Sequence, residues 1–428
     1  MHNPAATTRR AWLWVSAAYL FQAIPAAVRD EALPVALKNT GYPDKEITQV
    51  VAMLGLVFGF KILLAPIVAA FRPRGFILCS ELAVSVLLGA LAWQVTAEQP
   101  SSPAIIACLV LLSFVSAAHD FALDGYFVSS LDDRTRATHS GLLNFASKLG
   151  MVLAGPGLIW LAGRIMDYGP QSADAWGLSL CTVGLLSLLA VGANALGLRS
   201  EPDPAADERS VSARFREMRD GLVSLCVDPR LAAVLGLVLF YRASEIHMAK
   251  ILPLFATATT AGGLALGNET YALLRIVTAV LGLALGGIVG SQVVARFGLG
   301  RSLLPLGFAM HAPLAAIAWL AMDGTHDLWL IGLVFFVEYL AYGAGLCALI
   351  LAMMKLASGP GAAVRYAALS TFALLANYLP GLWAGALSDR LGYAHYFWRV
   401  HRISGYVGSC TWPPHLLTCC LQYTAICH

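Results

Sequence analysis

Charged residues are scarce in this chain. Asp, Glu, Lys and Arg make up 12% of its 428 residues, against about 25% in an ordinary soluble domain. That leaves too little polar surface to coat a water-soluble fold of this size. Several chemistry-bearing patterns are missing as well. There is no CxxC pair, no HExxH, no GxSxG and no phosphate-cradling glycine loop, so the usual sequence grounds for a metal site, a hydrolase or a nucleotide cofactor are absent. No basic tract interleaved with aromatics occurs, and the net charge is only +3. Nucleic acid is therefore not an expected partner, and no metal or cofactor is expected. Cys79, Cys108, Cys181, Cys226 and Cys347 are scattered singly and read as small apolar residues in helices.

Apolar residues are what the chain has in abundance: 58% of the total, with a mean hydropathy of +0.70. They come in runs long enough to cross a bilayer as helices. The runs predict eleven spans, at 11–37, 47–70, 75–97, 103–128, 139–163, 175–198, 230–257, 268–295, 301–322, 327–356 and 364–388. Arg9 and Arg10 ahead of the first run imitate a signal peptide, but the run continues to Leu37, as an uncleaved first span would. The segment 199–229 is charged, carries Pro202 and Pro204, and includes a stretch, Ser212 to Leu225, that suits an amphipathic surface helix. It divides the chain into a six-span bundle at 1–198, a cytoplasmic central loop at 199–229 and a second bundle at 230–398, followed by a non-membrane tail at 399–428.

Basic residues set the orientation. With the N-terminus in the cytoplasm, the inner segments hold sixteen Lys and Arg and the outer ones four, Lys38, Lys45, Arg164 and Arg390. The halves also echo each other. Phe21 and Pro34 in the first span are thirteen residues apart, as are Phe240 and Pro253 in the seventh. Proline-interrupted helices at matched positions point to a transporter whose binding site lies between repeats. Phe71 to Gly75, Gly163 to Gly169, Arg296 to Gly298 and Ser388 to Tyr393 close every third span with a basic residue and a glycine, which suits the negative end of a helix and a left-handed cap.

An ionisable side chain inside a span costs a few kcal/mol or more and normally faces a cavity or a partner. The candidates are Arg29, Asp30 and Glu31 in the first span, Lys61 in the second, Asp120 and Asp124 in the fourth and Lys148 in the fifth. The second bundle adds Glu245 and Lys250, Arg275, Glu338 and the polar Asn377. Asp120 and Asp124 are four apart and share a helix face, so they suit proton coupling; ion pairing with Lys148, Arg134 or Arg136 is the structural alternative. Glu338 faces a cavity or bonds to Tyr339 or Tyr342. Glu31 and Lys250, each three residues before a proline, stand at matched places as a gate or substrate clamp. His247 reads as a hydrogen-bonded core histidine, and Glu81 as a partner for Lys61.

These residues carry a family resemblance. Ala117 to Tyr126, with His119, Asp120 and Asp124, then Arg134, Arg136, Gly141 and Lys148-Leu149-Gly150, resemble the fourth and fifth helices of the AmpG-type muropeptide permeases, the peptide–acetyl-CoA transporter group of the major facilitator superfamily. Phe60 to Pro66 resembles that family's second-helix motif, and Arg365 to Leu369 with Gly385 to Tyr393 its eleventh helix. The resemblance runs from about residue 12 to 398. It implies an all-α polytopic membrane protein with a major facilitator-type two-bundle fold, acting at the bacterial inner membrane as a monomer. It also implies proton-driven uptake of anhydro-muropeptides, with Lys61, Asp120, Asp124, Lys148 and Glu338 at the site. The family tends to have glutamine where this chain has His119, and small or hydroxylated residues where it has Arg29-Asp30-Glu31. Another transporter reading is a carrier of a different amphiphilic solute such as a siderophore, drug or acyl-CoA-like compound. A membrane sensor or enzyme is the alternative from another class.

The resemblance expects a twelfth apolar span from about His395. Beyond Trp398 the chain instead holds Arg399, Arg402, Pro413, Pro414 and the crowded Cys410, Cys419, Cys420 and Cys427. The twelfth span is therefore expected to be aberrant or missing, as after a frameshift, with a metal-binding tail of cysteine and histidine as the alternative.

Overall fold

The computed structural model describes residues 4–59, 71–97, 101–131, 133–169, 171–198, 231–260, 262–357 and 362–410, with a few isolated positions besides. Within these, every regular element is helical. The expected surface helix at Ser212–Leu225, the Phe60–Pro66 motif with Lys61, and the tail beyond Cys410 lie wholly or largely outside the described residues.

The first span is not one regular helix. α1 (Pro4–Ala27) passes into a π-helical turn, Val28–Ala32, and then into α2 (Leu33–Asn39). Pro34 has no N–H and its ring crowds the carbonyl four residues back. The backbone is wide at that place, and such π-turns concentrate at functional sites. α3 (Asp44–Gly59) covers the start of the second span. α4 (Pro73–Thr96) and α5 (Ser102–Ser130) follow the expected spans, each with a proline in its first turn. The fifth span is split at Gly155 into α6 (Asp133–Ala154) and α7 (Pro156–Asp167), and α8 (Ser172–Gly197) is the sixth.

The seventh span breaks at Arg242, between α9 (Leu231–Tyr241) and α10 (Ala243–Thr257). α11 (Asn268–Phe297) is continuous. α12 (Leu299–His311) and α13 (Pro313–Asp323) meet at Pro313, and α14 (Leu328–Leu356) is continuous. α15 (Ala362–Tyr378) and α16 (Gly381–Leu391) meet at Pro380. α17 (Tyr393–Cys410) is a helix where the composition forecast a tail from about 398, so the helical path runs through that point. It begins by burying Tyr396, Phe397 and Val400, apolar positions that one helix face brings together. Its two arginines and two histidines keep it out of the apolar set.

Nine stretches among the described residues are long and apolar enough to cross a membrane. Two of the expected eleven, the second and the seventh, are not among them. α3 has 16 residues before the description lapses, and the seventh span is divided into pieces of 11 and 15.

The chain divides into two compact units. Unit 1 holds residues 1–41, 53–215 and 267–272. In it α1 packs on α6, α8 and α5, and α4 packs on both α5 and α8. Trp14, Val15, Ala18, Ile77, Leu123, Tyr126 and Ala146 fill part of its core, with Trp14 edge-on to Tyr126 at 5.1 Å. Unit 2 holds residues 42–52, 216–266 and 273–428. There α12 packs on α14, and α17 on α10 and α13. Leu237, Val238, Tyr241, Leu306, Ala348 and Leu349 belong to its core, and the Tyr241 hydroxyl donates to the carbonyls of Leu303 and Gly345.

Lipid tails give apolar helices little reason to prefer each other over solvent, so close packing of small residues matters more. Gly282, Gly286 and Gly290 form such a stripe on α11. A Cβ at Gly286 would stand 2.2 Å from the Leu340 carbonyl oxygen on α14, so only glycine allows this approach.

Unit 2 also contains the N-terminal end of α3. Asp389 accepts from the backbone N–H of Asp44 at 3.2 Å and of Lys45 at 2.9 Å, capping the positive end of that helix. Ser388 and Tyr393 donate their hydroxyls to the Asp44 carboxylate.

Candidate functional site

In unit 1 the polar side chains meet on the faces of α1, α5 and α6. Asp120 and Asp124 share one face of α5, as their spacing requires. Their partners come from α1: Gln22 donates from Nε2 to Asp120 Oδ1, and the Tyr19 hydroxyl donates to Asp124 Oδ1 at 3.2 Å. Residue 19 meets 124 and residue 22 meets 120, so the two helices run antiparallel here. Asp120 is 8% exposed, while Asp124 is open. The side chains of Arg134 and Arg136 fall outside the description.

The π-turn places the first-span charges. Arg29 lies buried and grips the neighbouring Asp30 with two hydrogen bonds of 2.9 Å, its guanidinium 5.2 Å from the centre of the Phe58 ring. Glu31 leans against the break between α6 and α7: a Cβ at Gly155 would come within 3.0 Å of the Glu31 Cβ. Glu31 is also the charge that acts on Lys148. The Lys148 ammonium stands 3.9 Å from Met151 Sδ and is exposed.

Glu81 belongs to a separate buried group in unit 1. Its Oε1 accepts from Asn194 Nδ2 of α8 at 2.7 Å and lies 3.3 Å from His119 Nε2 of α5. Those two side chains are its partners among the described residues, and Lys61, the expected partner, lies outside them.

Unit 2 gathers a second charged cluster. Arg242, at the break between α9 and α10, holds Glu245 Oε2 at 2.9 Å and donates to the Tyr342 hydroxyl at 3.4 Å. Arg275 lies 4.9 Å from the centre of the Tyr339 ring. Glu338 and Tyr342 are four apart on α14 and share a face beside Tyr339, so the contacts of Arg242 and Arg275 with these tyrosines bring the sequence candidates Glu245, Arg275 and Glu338 to one helix. Lys250 sits 4.9 Å from the centre of the Tyr378 ring. Asn377, one position before that tyrosine, is half-buried. Cations over aromatic faces are stabilised by the ring quadrupole. His247 is held at both ring nitrogens, Nδ1 by the Ala243 carbonyl and Nε2 by the Trp383 indole N–H. Since Nε2 accepts that bond, the ring is neutral and structural.

A search for charge inside spans finds the carboxylates and cations but passes over their uncharged partners. Tyr19, Gln22, Asn194 and Tyr378 carry no charge and no motif. The signal that would have found Tyr19 and Gln22 is their i, i+3 spacing on the helix facing Asp120 and Asp124.

A helical membrane protein with interrupted spans, and with ionisable and aromatic side chains paired within them, has the features of a solute transporter. The chain belongs to the Major Facilitator Superfamily, whose family pattern matches residues 16–377. It is 23% identical over 361 residues to the anhydromuropeptide permease of Escherichia coli K12, covering 81% of this chain and 68% of that one. It is also 23% identical over 393 residues to a Rickettsia conorii protein described as "Putative transporter AmpG 4", covering 87% and 89%. Among crystal structures, it resembles the D-xylose-proton symporter, with a TM-score of 0.68 at 12% identity over 94% of this chain and 98% of that one. The nucleoside transporter NupG gives 0.66 at 14% over 96% and 98%. At such identities these structures speak for the fold alone.

Proposed function

We propose that this protein is a proton-coupled importer of muropeptide-like cell-wall fragments, anhydro-muropeptides, in the bacterial inner membrane, working as a monomer with its N-terminus in the cytoplasm. The relatives named above support the substrate class. The observation that carries the reading is the pairing of cations with tyrosine rings in unit 2, Lys250 with Tyr378 and Arg275 with Tyr339. A fragment of this class joins sugar rings to a peptide bearing carboxylates. Aromatic faces suit the first and fixed cations the second, and a few placed polar groups on an aromatic wall are how small-molecule sites achieve orientation.

Asp120 is the proposed coupling group, because it is a carboxylate held within a membrane span, only 8% exposed, with the neutral amide of Gln22 among its partners. The test is uptake of labelled anhydro-muropeptide into cells making this chain, with and without a proton ionophore. Accumulation that collapses with the ionophore is expected. Absence of uptake overturns the substrate assignment, and uptake indifferent to the ionophore overturns the coupling.

A further inference from the structure

One buried group has no part in the pairings above. Glu81 is fully buried, 0% exposed, and so is Asn194, while His119 is 1% exposed. A carboxylate this deep in a membrane helix is an expensive thing to keep. It stands eight residues into α4, about 12 Å along the helix at 1.5 Å per residue.

Its hydrogen bonding is incomplete in a particular way. Glu81 Oε1 is satisfied by Asn194 Nδ2 and His119 Nε2. Among the described residues, Glu81 Oε2 has no partner, and neither has Asn194 Oδ1. Both are acceptors, and both belong to groups already joined at 2.7 Å through their other atoms. A proton on Oε2 supplies the one donor that this arrangement lacks. Acid and amide then complete a two-way pair, each donating once and accepting once. Without that proton, two buried acceptors are left unmatched.

We propose that Glu81 is a proton-binding site of this transporter, set apart from the Asp120–Asp124 face, with Asn194 and His119 as the residues that hold it in its two protonation states. The proposal rests on the transport reading above for its role, though not for its existence. Binding takes one proton from water to form the acid O–H; release returns it. In the acid form the pair ties α4 to α8. In the ionised form the carboxylate draws on His119 of α5 instead. Protonation thus shifts which neighbouring helix α4 is fastened to.

The Asp120–Asp124 face is one residue away. His119 precedes Asp120 on α5, and its ring packs 5.3 Å from that of Phe21 on α1, next in the chain to Gln22, the partner of Asp120. Other ionisable groups on the packed elements include Asp120, Asp124 and Tyr126 of α5, Asp174 of α8, Tyr19 of α1 and Arg74 at the start of α4. Arg74 donates to the carbonyl of Ala195, beside Asn194.

Glu81→Gln is the decisive variant, because a glutamine makes the same two-way pair with Asn194 and mimics the protonated acid. It should fold and melt as the parent does. In proteoliposomes with an inward proton gradient, E81Q should lose concentrative uptake of labelled anhydro-muropeptide and only equilibrate it, while exchange of labelled for unlabelled solute persists. Full gradient-driven accumulation with an unchanged pH profile would overturn the proposal.

Infrared difference spectroscopy on the purified full chain gives a readout that needs no substrate. A carboxylic-acid carbonyl band present at neutral pH should vanish in E81Q and shift in Asn194→Ala, which removes its hydrogen-bond partner. A parent that lacks the band, or a band that both variants leave alone, sinks the site. A parent that shows the band but takes up no anhydro-muropeptide sinks the substrate reading and leaves the proton site standing.

Discussion

Tyr19 donates its hydroxyl to Asp124 at 3.2 Å, one turn along α1 from the Gln22 bond to Asp120. Each of the two carboxylates therefore accepts from a neutral donor of α1. Tyr19→Phe removes one such bond from a buried position and should lower stability by about 0.5–1.5 kcal/mol, read as a drop in melting temperature in detergent. Asp120→Asn should leave the Gln22 contact largely intact while flattening the pH dependence of uptake. An unaltered pH profile in D120N would show that coupling lies elsewhere.

The Arg242–Glu245 pair makes a sharper demand. Both side chains are buried, at 14% and 7% exposed. Removing one partner strands the other's charge, which costs about 3–5 kcal/mol in comparable buried pairs. Arg242→Ala should therefore express poorly or melt far below the parent. The double variant Arg242→Leu with Glu245→Leu should recover much of that loss, because neither charge remains to be stranded. If the single and double variants melt alike, the pair is not coupled.

Gly286 tests the contact between α11 and α14. Gly286→Ala forces a methyl group into the Leu340 backbone, and overpacking of this kind costs about 1–3 kcal/mol. Gly287→Ala, where nothing lies within 4 Å, should be neutral or stabilise by up to about 1 kcal/mol through helix propensity. Side-by-side thermal melts of the two neighbours separate a packing effect from a general intolerance of alanine.

Asp389 offers a fourth test. Asp389→Ala removes the acceptor from two backbone N–H groups, and loss of a helix cap costs about 0.5–2 kcal/mol. Asp389→Asn keeps one oxygen as acceptor and should lose less. Equal melting of D389A and the parent would mean that water replaces the cap without penalty.

Much of the helical layout is legible in the sequence because apolar runs of bilayer length leave few alternatives. The breaks are less so. Pro156, Pro313 and Pro380 mark three of them and could be read as helix restarts, since proline belongs in a first turn. The break at Arg242 has no proline. The helix through 398 was hidden by composition, because Arg399 and Arg402 argue against a bilayer while Tyr396, Phe397 and Val400 still seat the chain against unit 2. At the site, Asp120 and Asp124 declare themselves by charge and spacing. Glu81 declares its charge but not its partners, because Asn194 lies more than a hundred positions away and only packing of α4 on α8 brings them together.

The cap on α3 has a consequence for biosynthesis. Asp44 and Asp389 are 345 positions apart, so the ribosome makes the capped end long before the cap. At about 5–20 residues per second, the N-terminus of α3 waits roughly 17–70 s for Asp389 to emerge. Through that interval its first N–H groups depend on water or on other proteins at the membrane. Nascent chains arrested before residue 389 should therefore exchange the amide hydrogens of Asp44 and Lys45 faster than the finished protein, in which Asp389 holds both.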